Sequence, residues 1–223
     1  MNDERRLDAL ARIYALYEDH LRGRSIACRR RCRHCCTTRV TVTTLEGRAI
    51  LQALSPAERV RLRGLLEEAS GLPRLRPAVT LNGLAALWAE GLEEEPSPPE
   101  DEASAACPLL AEDLCSIYAV RPFHCRCLVS RAPCAAGGAA EMEEELLAAN
   151  TVFLQAIEHL DAGGASGNLL DVLAALMAAG EEERSAGGAP GLIPNRPLRH
   201  LLLPPEHRTA LEPLLSALRR IRL

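Results

Sequence analysis

Cys28-Arg-Arg-Arg-Cys32-Arg-His-Cys35-Cys36 places four thiols in nine residues, at the spacing C-x3-C-x2-C-C. Thiolate is a soft ligand that suits zinc, copper(I) or iron–sulfur clusters. Short cysteine spacings let one tight turn present two sulfurs to one metal. Neighbouring side chains diverge, so one tetrahedral site does not easily take both Cys35 and Cys36. Either the pair feeds two sites, or one of the two is not a ligand. A second group follows far downstream: Cys107, Cys115, Cys125, Cys127 and Cys134. The expectation is that folding brings the two groups together around metal.

The rest of the chain bounds this reading. At 223 residues it can bury a full core, as one domain or one domain with an appendage. A net charge of -4 does not by itself point to nucleic acid. All 26 basic residues are arginine, which excludes Schiff-base lysine chemistry and a Walker-type phosphate lysine. Aromatic residues make up only 3%, so the core has to be Leu, Ala and Val. The N-terminal residues do not read as a signal peptide, and no apolar run is long enough to span a bilayer. The chain is therefore expected to be cytoplasmic, where thiols stay reduced, and nine cysteines fit a disulfide framework poorly.

Leu7, Leu10, Tyr14, Tyr17 and Leu21 recur at helical spacing and predict a helix over 4–22, with both tyrosines as core packing. From Leu21 to Val40 there are seven arginines and no acid. They lower thiol pKa values and offset the charge of a cysteine-ligated cluster, or hold nucleic-acid phosphates, or form a solvated face. The aromatic interleaving of single-strand binders is missing. Arg39–Thr43 alternates and is β-branched, as a short extended segment should. Thr43 and Glu46 are spaced as a capping box opening a helix through Leu54, and Ser55 and Glu58 open another to about Ser70. Leu81–Glu94 reads as a helix with Leu84, Leu87 and Trp88 on one side. The acidic, proline-rich stretch from about 93 to 106 reads as a mobile linker.

Beyond it, Glu112-Asp113 reads as a hairpin tip, and the surrounding segments suit a metal knuckle more than a packed helix. Glu141–Leu160 predicts a long helix with Leu146, Asn150, Phe153, Ile157 and Leu160 on one face. Leu169, Leu173 and Leu176 mark another. Ser185–Pro197 reads as a loop, and Thr209 and Glu212 as the cap of a final helix with Leu214, Leu215, Leu218 and Ile221. The fold class is mainly α: a small helical bundle around a cysteine-rich metal-binding core with short extended and hairpin segments. Residues 1–135 form the cysteine-cluster domain and 136–223 a helical extension packing on it.

A combined signature runs through Cys28, Cys32, Cys35, Cys36, Glu46, Cys107-Pro108-Leu109-Leu110, Cys115-Ser116-Ile117-Tyr118, Arg121-Pro122 and Cys125-Arg126. It resembles the YkgJ-like cysteine-cluster family, a zinc- or iron-chelating family that also takes in flagellin lysine N-methylases. The resemblance covers about residues 10–135. It implies eight metal-chelating cysteines: Cys28, Cys32, Cys35, Cys36, Cys107, Cys115, Cys125 and Cys134, with Cys127 as an extra. Eight thiolates make two four-cysteine sites, or one site plus reserve ligands. Arg121 and Arg126 are either donors to the sulfurs from behind the ligands or surface partners of the acidic linker. His34 and His124 each neighbour a cysteine and are substitute ligands. Tyr118 reads as core.

No Rossmann, Walker, H-E-x-x-H or nucleophile-elbow sequence is present, and no Ser/His/Asp or paired-carboxylate site can be assembled. Catalytic residues are therefore unassigned, and whether the chain is an enzyme is open. The spacing at Cys28, Cys32 and Cys35 also occurs in radical S-adenosylmethionine enzymes, but their large βα barrel does not fit this helical chain. Three functions remain. The first is a cysteine-cluster protein holding an iron–sulfur cluster or zinc, serving a protein partner or a redox step. The second is an S-adenosylmethionine-dependent protein lysine N-methylase. The third is a structural zinc module on nucleic acid, which the missing aromatics disfavour. No membrane partner is expected, and the oligomeric state is not encoded in these patterns.

Overall fold

A computed structural model describes residues 2–29, 31–92, 104–134, 139–179 and 188–221. The bulk of the predicted linker, 93–103, lies outside the described residues. Among the described residues, eight α-helices and a few short strands make the fold mainly α.

Helix α1 (Asp3–His20) is capped by the Asn2 side chain and buries Ala9, Leu10, Ile13 and Tyr17. Strand β1 (Thr41–Thr43) runs straight into α2 (Thr44–Ala53). The predicted capping box is present: the Thr43 hydroxyl takes the Glu46 N–H while Glu46 takes the Thr43 N–H. The second box, Ser55 and Glu58, opens α3 (Pro56–Glu68) with Pro56 in the first turn. Helix α4 (Leu81–Ala89) stops well short of residue 94. Gly91 adopts φ +74°, and the Leu92 N–H returns to the Leu87 carbonyl, so a glycine in the left-handed region ends it. Its buried face is Asn82, Gly83 and Ala85, while Trp88 is 54% exposed.

Strands β2 (Leu110–Ala111) and β3 (Leu114–Cys115) form the predicted hairpin. Glu112 and Asp113 both take positive φ, 50° and 65°, as a two-residue mirror-image turn requires. A single 3-10 turn (Tyr118–Val120) leads to α5 (Phe123–Cys127), a short helix where an irregular knuckle was expected. Helix α6 (Glu144–Leu160) buries all five residues of its predicted face.

Next come β4 (Ala165–Asn168), α7 (Leu169–Ala179), β5 (Leu192–Pro194) and α8 (Arg208–Arg220). The two strands were not expected. Ala-Ser-Gly-Asn has no β-branched residue, and β5 falls inside the predicted loop. They pair because β1 offers an edge: the antiparallel sheet has order β1-β4-β5, with Val42 opposite Gly167 and Gly167 opposite Leu192. Helix α8 begins at Arg208 after a 3-10 turn (Pro205–His207) and has no side-chain cap, so Thr209 lies inside the helix.

Two apolar clusters result. One joins α1, α5, α6 and α8 through Ile13, Tyr17, Phe123, Phe153 and Leu211. The other joins β1, α2, α3 and α7 through Ile50, Leu62, Leu169 and Leu173, and Cys107, Cys115 and Cys125 pack against it. Four of the six aromatic residues gather where α1, α5 and α6 meet. Tyr17 sets its edge against Phe123 at 4.7 Å and Phe153 at 5.1 Å, and the two phenylalanines lie 5.3 Å apart.

Candidate metal centre

Two tight turns carry the first cysteine group. The Cys32 N–H bonds the Arg29 carbonyl at 3.0 Å, and the Cys36 N–H bonds the Arg33 carbonyl at 2.9 Å. Arg31 takes a left-handed φ of 71° between them. The upstream end is pinned by the Ala27 N–H on the Ser130 carbonyl, 2.8 Å. Downstream, Thr37 pairs with Ala106, and the Cys107 N–H donates to the Cys36 carbonyl at 3.0 Å. The Thr38 hydroxyl takes the Ala105 N–H at 2.8 Å. Backbone hydrogen bonds thus lay the segment entering Cys107 directly along Cys36, across about seventy residues of sequence.

The hairpin then folds Cys115 back toward Cys107. The Leu110 N–H bonds the Cys107 carbonyl at 3.1 Å, and Cys115 stands opposite Leu110. Burial raises the Cys107 thiol, while the Leu109 N–H aimed at its sulfur acts the other way. Cys115 repeats this: burial raises it, and the Ile117 N–H and Arg121 oppose. Each of these sulfurs therefore has a donor from the amide two residues on, the arrangement that favours thiolate. Cys125, on α5, is raised mainly by burial, with Cys107, Cys115, Cys35 and Cys127 close enough to add to the effect.

The thiols sort into two neighbourhoods. Cys36 is lowered first by a hydrogen bond from Cys35; burial opposes, and Cys107, Cys125 and Cys115 then act in the same sense as burial through their charge. Cys28 is raised first by burial, partly offset by the Ser130 N–H, with Cys32, Cys35 and Cys134 adding. Cys36, Cys107, Cys115 and Cys125 feel one another, Cys28 lies near Cys32 and Cys134, and Cys35 adjoins both groups. Cys35 is raised first by its hydrogen bond to Cys36, then by burial, and Arg121 works against both. Its thiol turns toward Cys36 rather than diverging from it, unlike the expectation for adjacent residues. Among the described residues no three His, Cys, Asp or Glu side chains already stand in a metal-holding arrangement. The backbone gathers the sulfurs, and the side chains are not yet converged on a point.

Cys127 belongs elsewhere. It is buried in the cluster with Tyr17 and Phe153, its thiol donates to the His124 carbonyl at 3.3 Å, and burial pushes it up to about 12. His124 has its Nδ1 occupied by the Thr41 N–H at 3.2 Å and lies 3.1 Å from the Thr41 hydroxyl, so that nitrogen holds β1. His34 is exposed.

The two arginines part company. The Arg126 Nε bonds the Arg121 carbonyl at 2.8 Å, one terminal nitrogen pairs with Glu18 at 2.9 Å, and the guanidinium lies 4.5 Å over the Tyr14 ring. Its partners are oxygens and a ring, and it joins α5 to α1. Arg121 stacks 4.2 Å from the Tyr118 ring, and its charge is felt at Cys35 and Cys115. Its Nε is buried without a hydrogen-bond partner among the described residues. Tyr118 is 54% exposed, which corrects its placement in the core: it is the platform under Arg121. In the arginine-rich stretch, Arg24 pairs with Glu143 at 2.6 Å and Glu145 at 2.7 Å, and Arg33 with Asp113 at 2.9 Å.

Sequence reasoning placed Glu46 in the signature but missed what it holds. Its carboxylate takes the Tyr14 hydroxyl at 2.8 Å, the Phe123 N–H at 2.8 Å, the Thr43 N–H at 3.0 Å and the Thr43 hydroxyl at 3.2 Å. One buried side chain thereby ties α1, the start of α2 and the start of α5, which carries Cys125. The signal was present in Thr43 and Glu46, whose box spacing keeps the carboxylate folded back over β1.

Such a gathering of thiols from two distant segments defines a cysteine-cluster metal-binding domain. The CxxCxxCC family, described as "Putative zinc- or iron-chelating domain", matches residues 27–146, more than half of the chain. The chain belongs to this family. No curated protein and no solved structure matches it. Among the described residues no helix is long and apolar enough to cross a membrane.

Proposed function

We propose that the chain binds metal through two four-cysteine sites, an inner one of Cys36, Cys107, Cys115 and Cys125 and an outer one of Cys28, Cys32, Cys35 and Cys134. The observation that carries this is that Cys28 feels Cys32, Cys35 and Cys134 while Cys36 feels Cys107, Cys125 and Cys115, with Cys35 adjoining both groups and Cys127 committed to the apolar core. The donor set fits zinc or an iron–sulfur cluster, both of which take four thiolates. The N–H groups aimed at Cys107 and Cys115 and the partnerless Nε of Arg121 suit an anionic, sulfur-rich group between them. Release of the Cys35–Cys36 hydrogen bond, by rotation about the two side chains, sends one thiol to each site. Zinc bound there supplies a cross-link; an iron–sulfur cluster supplies one-electron chemistry.

The two sites differ in access. Cys125 is half-buried, whereas Cys28 is exposed, so the inner site reads as structural and the outer as the one within reach of a protein partner. Purification without oxygen, followed by metal and sulfide analysis and a visible spectrum, tests the assignment. Two metal sites per chain are expected, with Cys115→Ser losing one, Cys28→Ser losing the other, and Cys127→Ala losing neither. Full metal content in Cys115→Ser, or loss in Cys127→Ala, would overturn the division.

A further inference from the structure

A cavity of about 450 Å³ lies against β1, lined by Thr41, Val42 and Thr43 and by none of the cysteines, within the size range of small-molecule sites. Its walls are apolar, from Leu81 and Leu84 on α4 and Leu154 and Ile157 on α6, with Trp88 beside them. Trp88 is 54% exposed, so it stands where the cavity meets solvent. Helix α4 turns Asn82 and Ala85 into the protein and leaves Leu81, Leu84 and Trp88 for this space. That division explains why its long apolar residues do not pack as a core face.

The polar side chains decide the occupant. Glu46 and Glu158 both line the cavity and are 3% and 4% exposed. Glu158 accepts the Asn82 N–H at 2.8 Å and the Arg196 N–H at 2.9 Å. All the hydrogen-bond partners of both carboxylates are N–H or O–H groups, an environment built for acceptors. Among the described lining residues there is no arginine, lysine or histidine. Burial raises both carboxyls toward the neutral acid, and Arg196, outside the described lining, opposes this at Glu158. An arriving ammonium group also opposes it, whereas an anion would face two acidic groups, so the space favours positive charge over negative.

From this geometry we infer a binding site for a small organic cation, an apolar body carrying an amine, separate from the thiol sites. The two features share β1 as a wall. Thr41 lines the cavity and holds His124, the residue before Cys125, so an occupant sits one strand away from the inner thiols. The inference is independent of which metal the thiols take.

Trp88 is the only tryptophan in the chain, and its fluorescence reports directly on this space. The full-length protein is titrated with phenylbutylamine and, separately, with phenylbutanoate, which has the same skeleton and the opposite charge. A saturable change with the amine, roughly tenfold or more tighter than with the carboxylate, is expected. Leu84→Phe, which fills the cavity, should abolish it without lowering the melting temperature; Leu81→Phe serves if that variant does not fold. No saturable change with the amine, equal affinity for amine and carboxylate, or undiminished binding in a folded filled-cavity variant would each overturn the inference. Metal content, measured on the same samples, reads the thiol sites separately.

Discussion

Single residues carry more of this fold than their types suggest. Glu46 takes four donors that reach it from three elements. A buried donor left without a partner costs about 1–3 kcal/mol. Glu46→Ala strands several, so a loss on the order of 3 kcal/mol or more is expected in denaturant unfolding, together with weaker metal retention because α5 loses its anchor. A loss under about 1 kcal/mol would show that these donors find other partners. The cysteines divide in a similar way. Cys125 and Cys127, separated by one residue, are alike in sequence, yet one faces the other thiols and one fills the apolar core. The helical turn of α5 makes that difference, because residues two apart point to different sides of a helix.

Elements that announce themselves by local chemistry form where they should. Both capping boxes are present, and α6 buries its predicted stripe. The exceptions have local neighbours that mislead. Strand β4 lacks strand-forming composition and β5 is three residues ending in Pro194; both exist because β1 and close glycine packing invite them. A side chain on Gly167 would run into Leu192 and the Gly191 carbonyl. The contact between α2 and α7 depends on another such approach. A Cβ on Gly47 would stand 2.6 Å from Leu176 Cδ1 and 2.8 Å from Val172 Cγ1. Gly47→Leu should therefore destabilise by about 1–3 kcal/mol or more through overpacking, read as a lower melting temperature. An unchanged melting temperature would mean that the two helices can part at little cost.

For the whole molecule, metal and folding are one equilibrium. Without metal, burial raises Cys107, Cys115 and Cys125, so the folded state favours neutral thiols. That contribution is complete below the unfolded thiol value of about 8.5 and is lost as pH rises through the raised folded values. Metal reverses the sign, since protons compete with it for sulfur and loading weakens as pH falls. The metal-free protein should accordingly lose thermal stability between about pH 8 and 10, while the loaded protein should be most stable there and release metal on acidification. Thermal melts across pH with and without chelator check both arms; matching profiles would remove the coupling. Chelator or Cys32→Ser should also lower helicity of the cysteine-bearing half, on the scale of the roughly 10–16 kcal/mol that zinc supplies to small metal-folded domains.

Short-range order was readable from residues alone. Cysteine spacing, box-spaced Thr43 and Glu46, the turn at Glu112-Asp113 and the stripe on α6 each express an interaction within a few residues, so the chain displays them without its fold. The sorting of the thiols was decided later. Cys36 meets Cys107 because Thr37, Thr38, Ala105 and Ala106 bond across the molecule. Cys125 joins them because Glu46 holds Phe123, and the charge of Arg121 is felt at Cys35 and Cys115 while Arg126 bonds oxygens. The exposed tryptophan, the two added strands and the acidic cavity share this origin. Each depends on which distant surfaces meet, and no periodicity along the chain records that.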